Sequence, residues 1–574
     1  MSGLVDRAVL LPRFPAVRRP LRRTLPADAR PADSDAASLS GRDPPHSCER
    51  NMTEHELRTL DAIPGHHARH RPDHTAIIAQ GTEVSYRELH LESNRSAHAL
   101  IGAGLGPGAR VAYLGKESPH YYEIAFACAK IGAVLVPVNW RLTSPEIDYI
   151  LRDSDTELLF VEREFLDTVA SLEGELRGLR TVVPLDSADR RGAGFLAWKA
   201  DRPDSDLRHT ADPEDAAAQV YTSGTTGDPK GAVIPHRSFF ALGVSLRRAG
   251  LDWVDWSPDD RSLISLSGLH LAGLNWSMQG FCAGATMVVM RAFVGQEAVR
   301  LIRDLGVTTT FVAPAMLQMM LAEPVATTET FSSLRKIVYG ASPISESLLA
   351  QCLEVIKADF VQAYSATEAG NAVTLLPASA HTPGSPRLKA AGLPCPDVRM
   401  KVVGGDGCEL PAGEIGEVWV HTPAAMLGYW KNDRATSTTL VDGWLRMGDA
   451  GYFDDDGYFF LCDRVKDTVI VAGANVYPAE VEEALGRHPA VTEAAVIGVP
   501  DETWGEALHA CVVLRPGEQV TPRQLMLSLK GAIADYKIPM RYEFVESLPR
   551  NPTGKILRRQ LRERFWQGRE SGIH

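Results

Sequence analysis

From about Val84 onward the chain alternates short runs rich in β-branched residues with longer amphipathic runs, and no other feature of the sequence restricts the fold as much. A period of two in the short runs and of 3.6 in the long ones is the pattern of βαβ units around a mostly parallel sheet. The stretch Tyr122 to Ile131 reads as a helix leading into a strand over Ala133 to Val138, and Leu158 to Val161 and Thr308 to Val312 read as further strands. Past Tyr452 the character shifts: a turn-rich Asp454-Asp455-Asp456-Gly457 leads to a strand, then comes Asp463 to Asp467, and a short α+β run continues to Lys555. The 574 residues exceed what a single core accommodates. The expected organisation is an extension over 1–51, a large α/β domain with mixed sheets over 52–465, and a small α+β domain over 466–574.

Composition removes several function classes. With 44% hydrophobic and 23% charged residues the chain is ordinary globular material, and a net charge of -12 argues against a nucleic-acid partner. The eight cysteines show no CxxC or metal-finger spacing, which suggests neither a disulfide framework nor a zinc site and fits a reducing cytoplasm. No run approaches the ~20 apolar residues that a membrane-spanning helix needs.

The densest chemistry sits in Tyr221-Thr222-Ser223-Gly224-Thr225-Thr226-Gly227-Asp228-Pro229-Lys230-Gly231. Glycines let a backbone close on an anion, and hydroxyls with a lysine donate to phosphate oxygens, so the loop is suited to a polyphosphate. Most Ser/Thr/Gly-rich loops are only solvated turns, and this one lacks the GxxxxGK[ST] spacing; Pro229 and Lys230 set it apart. Further candidates follow in order: Gly340-Ala341-Ser342-Pro343, Gln362-Ala363-Tyr364-Ser365-Ala366-Thr367-Glu368, Gly443 to Asp449, Asp463 to Asp467, and Pro549 to Lys555. Taken alone, Asp449 or Arg464 would be a surface charge and Glu368 a helix cap.

As an ordered set over roughly residues 52 to 565, these motifs resemble the signature of the adenylate-forming superfamily of acyl-CoA synthetases, luciferases and peptide-synthetase adenylation domains. The resemblance implies an acid:CoA ligase that activates a hydrophobic carboxylic acid with ATP as acyl-AMP and passes the acyl group to coenzyme A. A phosphopantetheinyl carrier protein is the alternative acceptor, and a homodimer is compatible with the chain. It implies catalytic roles for Lys555, Thr222 and Glu368, with Glu368 on Mg2+ and Lys466 at the hinge of a mobile small C-terminal domain. Nucleotide contacts fall to Thr222, Ser223, Gly224, Thr225, Thr226, Gly227, Lys230, Gly340, Ala341, Ser342, Tyr364 against adenine, Ser365, Thr367 near the α-phosphate, Asp449 on the ribose, Arg464 and Lys555. Gly473 would line the pantetheine tunnel, and His270, Leu271, Asn275 and Ala363 the acyl site.

Relatives that activate amino acids carry an aspartate near the position of His270; here the neighbours are Leu269, Leu271 and Ala272, so an acid without an α-amine is expected. Leu271, Leu274, Trp276 and Met278 form either an apolar pocket or core. Ser267 and Leu269 replace the usual proline and phenylalanine, Ser365 a glycine, and Met447 a threonine. Met447 is expected to place a bulky chain near the nucleotide, which leaves a chain specialised in the thioester step as a further alternative. A simple ATP hydrolase would release phosphate where a ligase releases pyrophosphate, and a nonenzymatic binding protein would have little reason to keep Lys230, Glu368, Asp449, Arg464 and Lys555 together.

Residues 1–51 carry Arg18, Arg19, Arg22 and Arg23 but no apolar run after them, while Asp28, Asp33 and Asp35 break the character of a transit peptide. The segment reads as a disordered extension with no apolar face to bury. Deleting it is expected to leave the melting temperature and turnover unchanged; a large loss of folded yield would show that it packs on the body.

Overall fold

The computed structural model describes residues 57–172, 178–186, 194–222, 229–342, 344–471, 474–501, 505–550 and 556–566. The extension over 1–51 lies outside them. The architecture is mixed α/β, with a large N-terminal part and a small C-terminal α+β domain.

Two sheets organise the large part. One has seven strands in the spatial order Gly428–Tyr429, Lys230–Pro235, Ala216–Thr222, Val134–Val138, Arg110–Leu114, Thr156–Val161 and Thr181–Pro184. Its last five strands run parallel, as their nearly unbroken Val/Leu/Ala content requires, because both faces are covered. The other has nine strands, with Thr309–Val312, Lys336–Gly340 and Asp359–Tyr364 side by side and parallel, and Thr75–Ala79 joined to Thr286–Val289 near the far edge. The helix expected from Tyr122 to Ile131 is Pro119–Lys130, and the strand after it is Val134–Val138.

Three helices, Tyr86–Gly102, Pro119–Lys130 and Leu271–Ala283, contribute to one large core shared by residues of both sheets. Pro119–Lys130 is buried almost all round, with Tyr121, Tyr122, Ile124 and Phe126 fully enclosed. Gly295–Leu305, Pro314–Leu321 and Glu346–Val355 cover the outer face of the nine-stranded sheet, and Ser144–Asp153 covers that of the seven-stranded sheet. A five-stranded antiparallel sheet follows, containing Gly416–His421, Trp444–Phe453 and Phe459–Arg464. The expected turn before the last of these is real: Asp454 accepts from the backbone N–H groups of Asp456 and Tyr458, and Gly457 has φ +80°.

The C-terminal sheet is built on the long pair Val491–Asp501 and Gly505–Leu514, with Pro478–Gly486 and Pro522–Leu529 on one face and Arg558–Trp566 on the other. Arg558 anchors the last helix through a 2.6 Å contact to the half-buried Glu482, which also accepts from Val496 N–H. Among the described residues no helix is long and apolar enough to cross a membrane.

Several histidines are enclosed without a proton. Burial pushes His67, His90 and His236 each down to about 4 from 6.5. The unfolded chain takes up these protons below about pH 6.5, the folded protein only below about 4, so the unfolded state binds more protons as pH falls through that interval and the fold loses stability there. The loss is on the order of 2 to 3 kcal/mol per imidazole by pH 4. His236 accepts from Leu60 N–H at 3.1 Å, so His236→Gln keeps an acceptor while removing one titration. Denaturant midpoints from pH 7 to 4.5 are expected to fall less steeply in His236→Gln than in the parent; equal slopes would contradict the assignment.

Candidate active site

The two ends of the Tyr221–Gly231 motif lie on paired strands. Ala216–Thr222 and Lys230–Pro235 pair antiparallel, and Thr222 faces Lys230 as the last pair. Residues 223–228 lie outside the described residues, so Ser223, Gly224, Thr225, Thr226 and Gly227 receive no structural account. Tyr221 braces the base by donating to Asp153 at 2.6 Å and accepting from Gln219 at 2.9 Å.

The short strand Gly428–Tyr429 adds to the outer edge of this hairpin, flanked by Leu427 N–H to Val233 O at 2.8 Å and Trp430 N–H to Gly231 O at 2.8 Å. That addition carries Tyr429 to the site. Its ring lies 5.4 Å from Lys230 Nζ, a cation–π contact, and its hydroxyl donates to Glu368 Oε1 at 2.7 Å. Burial, with Glu368 beside it, raises the phenol well above its ordinary range, so it stays a donor. The Glu368 carbonyl accepts from Met426 N–H at 2.9 Å. Backbone and side chain of Glu368 are thus both tied to the segment 426–429.

Glu368 sits in the 3-10 turn Thr367–Ala369 beyond the carboxyl end of Asp359–Tyr364. Gly370 closes that turn at φ +74°, where a Cβ would stand 1.7 Å from Ala424 O, so no other residue fits. Ser365 donates to Asn371 O, and Asn371 in turn reaches Asn275 Oδ1 at 3.3 Å and Ser238 O at 2.9 Å. Asn275 itself donates to Gly370 O at 2.6 Å. Ser365 and Asn275 therefore spend their hydrogen bonds on holding the Glu368 turn.

Tyr364, at the end of its strand, donates to Asp449 Oδ2 at 2.6 Å, and its ring centroid lies 5.7 Å from that of Phe459. Asp449 pairs in register with Arg464, Oδ1 to Nε 3.7 Å. A bulge delivers Asp449: between the pairs Glu417↔Ala450 and Trp419↔Arg446, three residues on one strand oppose one on the other, with Gly448 at φ +67°. Met447, within the bulge, packs against the main core.

Gly340 pairs with Ala363 across the parallel strands Lys336–Gly340 and Asp359–Tyr364, and Ala341, immediately after, holds φ +67°, a strained value for a residue with a Cβ. Gly340, Ala341, Ser342, Tyr364, Thr367 and Glu368 all stand at or just past the carboxyl ends of parallel strands, where open α/β sheets bind their ligands.

His270 is the N-cap residue of Leu271–Ala283 and lies close to Asn139, 3.2 Å from ring Nε2 to the amide nitrogen. Burial, with Arg141 nearby, pushes its pKa down to about 4. The turn before it is held by Glu117, a buried carboxylate whose pKa burial raises. Its Oε2 accepts from Ser267 Oγ at 2.8 Å and Gly268 N–H at 3.0 Å, its Oε1 from Tyr122 OH at 2.6 Å. Ser267 is thus a partner of Glu117. Leu271, Leu274, Trp276 and Met278 belong to the main core.

The structure joins Lys230, Tyr429 and Glu368 in one chain of contacts and Tyr364, Asp449 and Arg464 in another, linked by the loop 364–370. Gly473 and Lys555 lie outside the described residues, as does the side chain of Lys466, whose backbone forms the turn Val465–Asp467. Tyr429, Asn139 and Glu117 were not legible as site residues, because no motif marks them and only tertiary placement gives them partners.

Residues 65–430 match the family model for AMP-binding enzymes, and residues 480–555 that for the AMP-binding enzyme C-terminal domain. The chain is 54% identical over 512 residues to the fatty acid–[acyl-carrier-protein] ligase ScoC of Streptomyces coeruleorubidus, covering 89% of this chain and 97% of that protein. It is 38% identical to a feruloyl-CoA synthase of an Amycolatopsis species, over 88% of this chain and 99% of that protein. The crystal structure of the anthranilate CoA ligase AuaEII with anthranoyl-AMP superposes with a TM-score of 0.81 at 29% identity, covering 89% of this chain and 97% of that one.

Removing the Tyr429 hydroxyl takes away a hydrogen bond to a carboxylate, worth about 1.5–3 kcal/mol. Tyr429→Phe is expected to weaken binding of ATP with magnesium about tenfold and to leave metal-free nucleotide binding nearly unchanged, as read by calorimetry. Equal affinities with metal would remove the hydroxyl from the site's function.

Proposed function

Since the chain belongs to the AMP-binding enzyme family and is an ATP-dependent, adenylate-forming acid ligase, we propose that it activates a hydrophobic carboxylic acid lacking an α-amine and transfers the acyl group to the phosphopantetheine thiol of a carrier protein. The observation that carries the activation step of this reading is the pair of contact chains, Lys230–Tyr429–Glu368 and Tyr364–Asp449–Arg464, linked by the loop 364–370. The ScoC relative supports a fatty acid and a carrier acceptor. Coenzyme A is the second reading, favoured by the feruloyl-CoA synthase likeness.

A carboxylate resists thiols because it is anionic and lacks a leaving group. In the first half-reaction its oxygen attacks the α-phosphorus of ATP, the bond to the β-phosphate oxygen breaks, and pyrophosphate departs. Charge developing on the phosphates calls for cations held in place beforehand. Lys230, opposite Thr222 and steadied by the Tyr429 ring, fits the departing phosphates, and Lys555 fits the α-phosphate. Asp449, oriented by Tyr364, fits the ribose hydroxyls, and Arg464 beside it the ribose and phosphate side. Glu368 suits magnesium: a hard cation takes carboxylate oxygen, and the bond from Tyr429 occupies only Oε1. When bound there, the ion neutralises phosphate charge.

In the second half-reaction a thiolate attacks the acyl carbon and AMP leaves. The thiol needs the direction from which Lys555 acts, so we infer that the small domain, beginning near Lys466, turns between the steps and brings Gly473 to the pantetheine path. Lys555→Ala is expected to slow pyrophosphate release about 10²- to 10³-fold while sparing thioester formation from supplied acyl-adenylate. Equal slowing of both steps would contradict the alternation. A pyrophosphate-release screen over aliphatic, aryl and amino acids, followed by transfer to CoA and to a carrier protein, tests the whole reading. Fastest release with an amino acid would overturn the substrate class, and transfer to CoA alone would overturn the carrier.

A further inference from the structure

Asn139 immediately follows Val134–Val138, and its amide orientation is fixed from one side: Oδ1 accepts the backbone N–H of Arg141 at 3.0 Å in a local turn. Its Nδ2 therefore faces His270 Nε2 at 3.2 Å. An amide N–H donates only to a ring nitrogen without a proton, so Nε2 is the acceptor and Nδ1 carries the hydrogen. A flipped amide would set Nδ2 against the Arg141 N–H, leaving that N–H facing a donor, and would turn Oδ1 toward His270 Nε2. An imidazolium would set Nε2–H against the same Nδ2–H.

We infer that Asn139 is a positioning residue for acid recognition, fixing His270 as the neutral Nδ1–H tautomer that meets the acid. The inference rests on the reading that His270 borders the acyl site. The charges near the ring agree with it. Arg141 is the cation that bears on His270, and it opposes protonation. Glu117, the carboxylate at the adjoining turn, is taken up by Ser267, Gly268 and Tyr122. The neighbours Leu269 and Leu271 are apolar and buried. Among the described residues Nδ1 has no hydrogen-bond partner, so the ring retains one N–H to offer a ligand and no charge. Such a site suits an acid whose only charge is the reacting carboxylate; a second carboxylate would find no cation in His270.

Asn139→Asp is nearly isosteric and leaves an acceptor for Arg141 N–H, but it turns the group facing Nε2 from donor to acceptor. Histidine-selective 15N spectra, with the His270 signals identified by their loss in His270→Gln, are expected to show a protonated Nδ1 and a bare Nε2 in the parent, and a protonated Nε2 in Asn139→Asp. Acid binding, titrated by calorimetry, is expected to weaken about tenfold in Asn139→Asp while ATP affinity stays within about twofold. A parent spectrum with protonated Nε2, or a spectrum that does not move in Asn139→Asp, overturns the inference. An inverted spectrum with unchanged acid binding also overturns it, since Asn139 would then set the tautomer without serving recognition. The spectra need no substrate. If no acid supports pyrophosphate release, the proposed reaction falls, while the spectra and the acid titration still decide the role of Asn139.

Discussion

Two residues of strand, Gly428–Tyr429, hold the site together by pairing with the edge of the hairpin that carries Lys230. Backbone hydrogen bonds fix the register there, so the Tyr429 ring and hydroxyl arrive at Lys230 and Glu368 without any long side chain having to search for them. A lysine and a glutamate placed near each other on flexible loops would collapse into an ion pair and lose both charges to each other. A phenol between them binds the carboxylate by hydrogen bond and the ammonium by its ring face, and leaves each charge available to a ligand.

A comparable device operates at Asp449. A regular strand would have continued the alternation past Arg446; the bulge with Gly448 breaks it and turns the carboxylate toward Tyr364 and Arg464. The cost is a locally disrupted ladder, offset by the packing of Met447 against the core. Met447, expected from the sequence to place a bulky chain near the nucleotide, packs in part against the core.

Much of this was legible beforehand because it is local. The alternation of periods marked Pro119–Lys130 to within three residues and Val134–Val138 to within one, and Asp454 to Gly457 announced a turn through side-chain and glycine chemistry that acts within four residues. The motifs with Lys230, Glu368, Asp449 and Arg464 pointed to groups that the fold does assemble. What stayed hidden depends on partners far along the chain. Glu117 and Ser267 are 150 residues apart, and Asn139 and His270 are 131. A lone asparagine or glutamate carries no periodicity, and only the packing of one sheet's loops against the other's gives it a role. The apolar run from Leu271 to Met278 was ambiguous for the opposite reason: core and pocket ask for the same residue types, and the fold puts these side chains in the core.

The strand Thr75–Ala79 has its parallel partner in Thr286–Val289, with the whole seven-stranded sheet except its last edge strand encoded between them. During synthesis the early strand therefore emerges about 200 residues before its parallel neighbour exists, a wait of roughly 10 to 40 s at ordinary ribosomal speeds of about 5–20 residues per second. Through that interval Ile77 and Ile78, which end up buried, can pair on one side only, with the antiparallel Thr82–Ser85, and His67 lacks the Cys282 carbonyl that its ring finally meets. The nascent chain thus carries one open edge of an apolar strand for most of its first half, and the nine-stranded sheet closes there only after most of the seven-stranded one has been made.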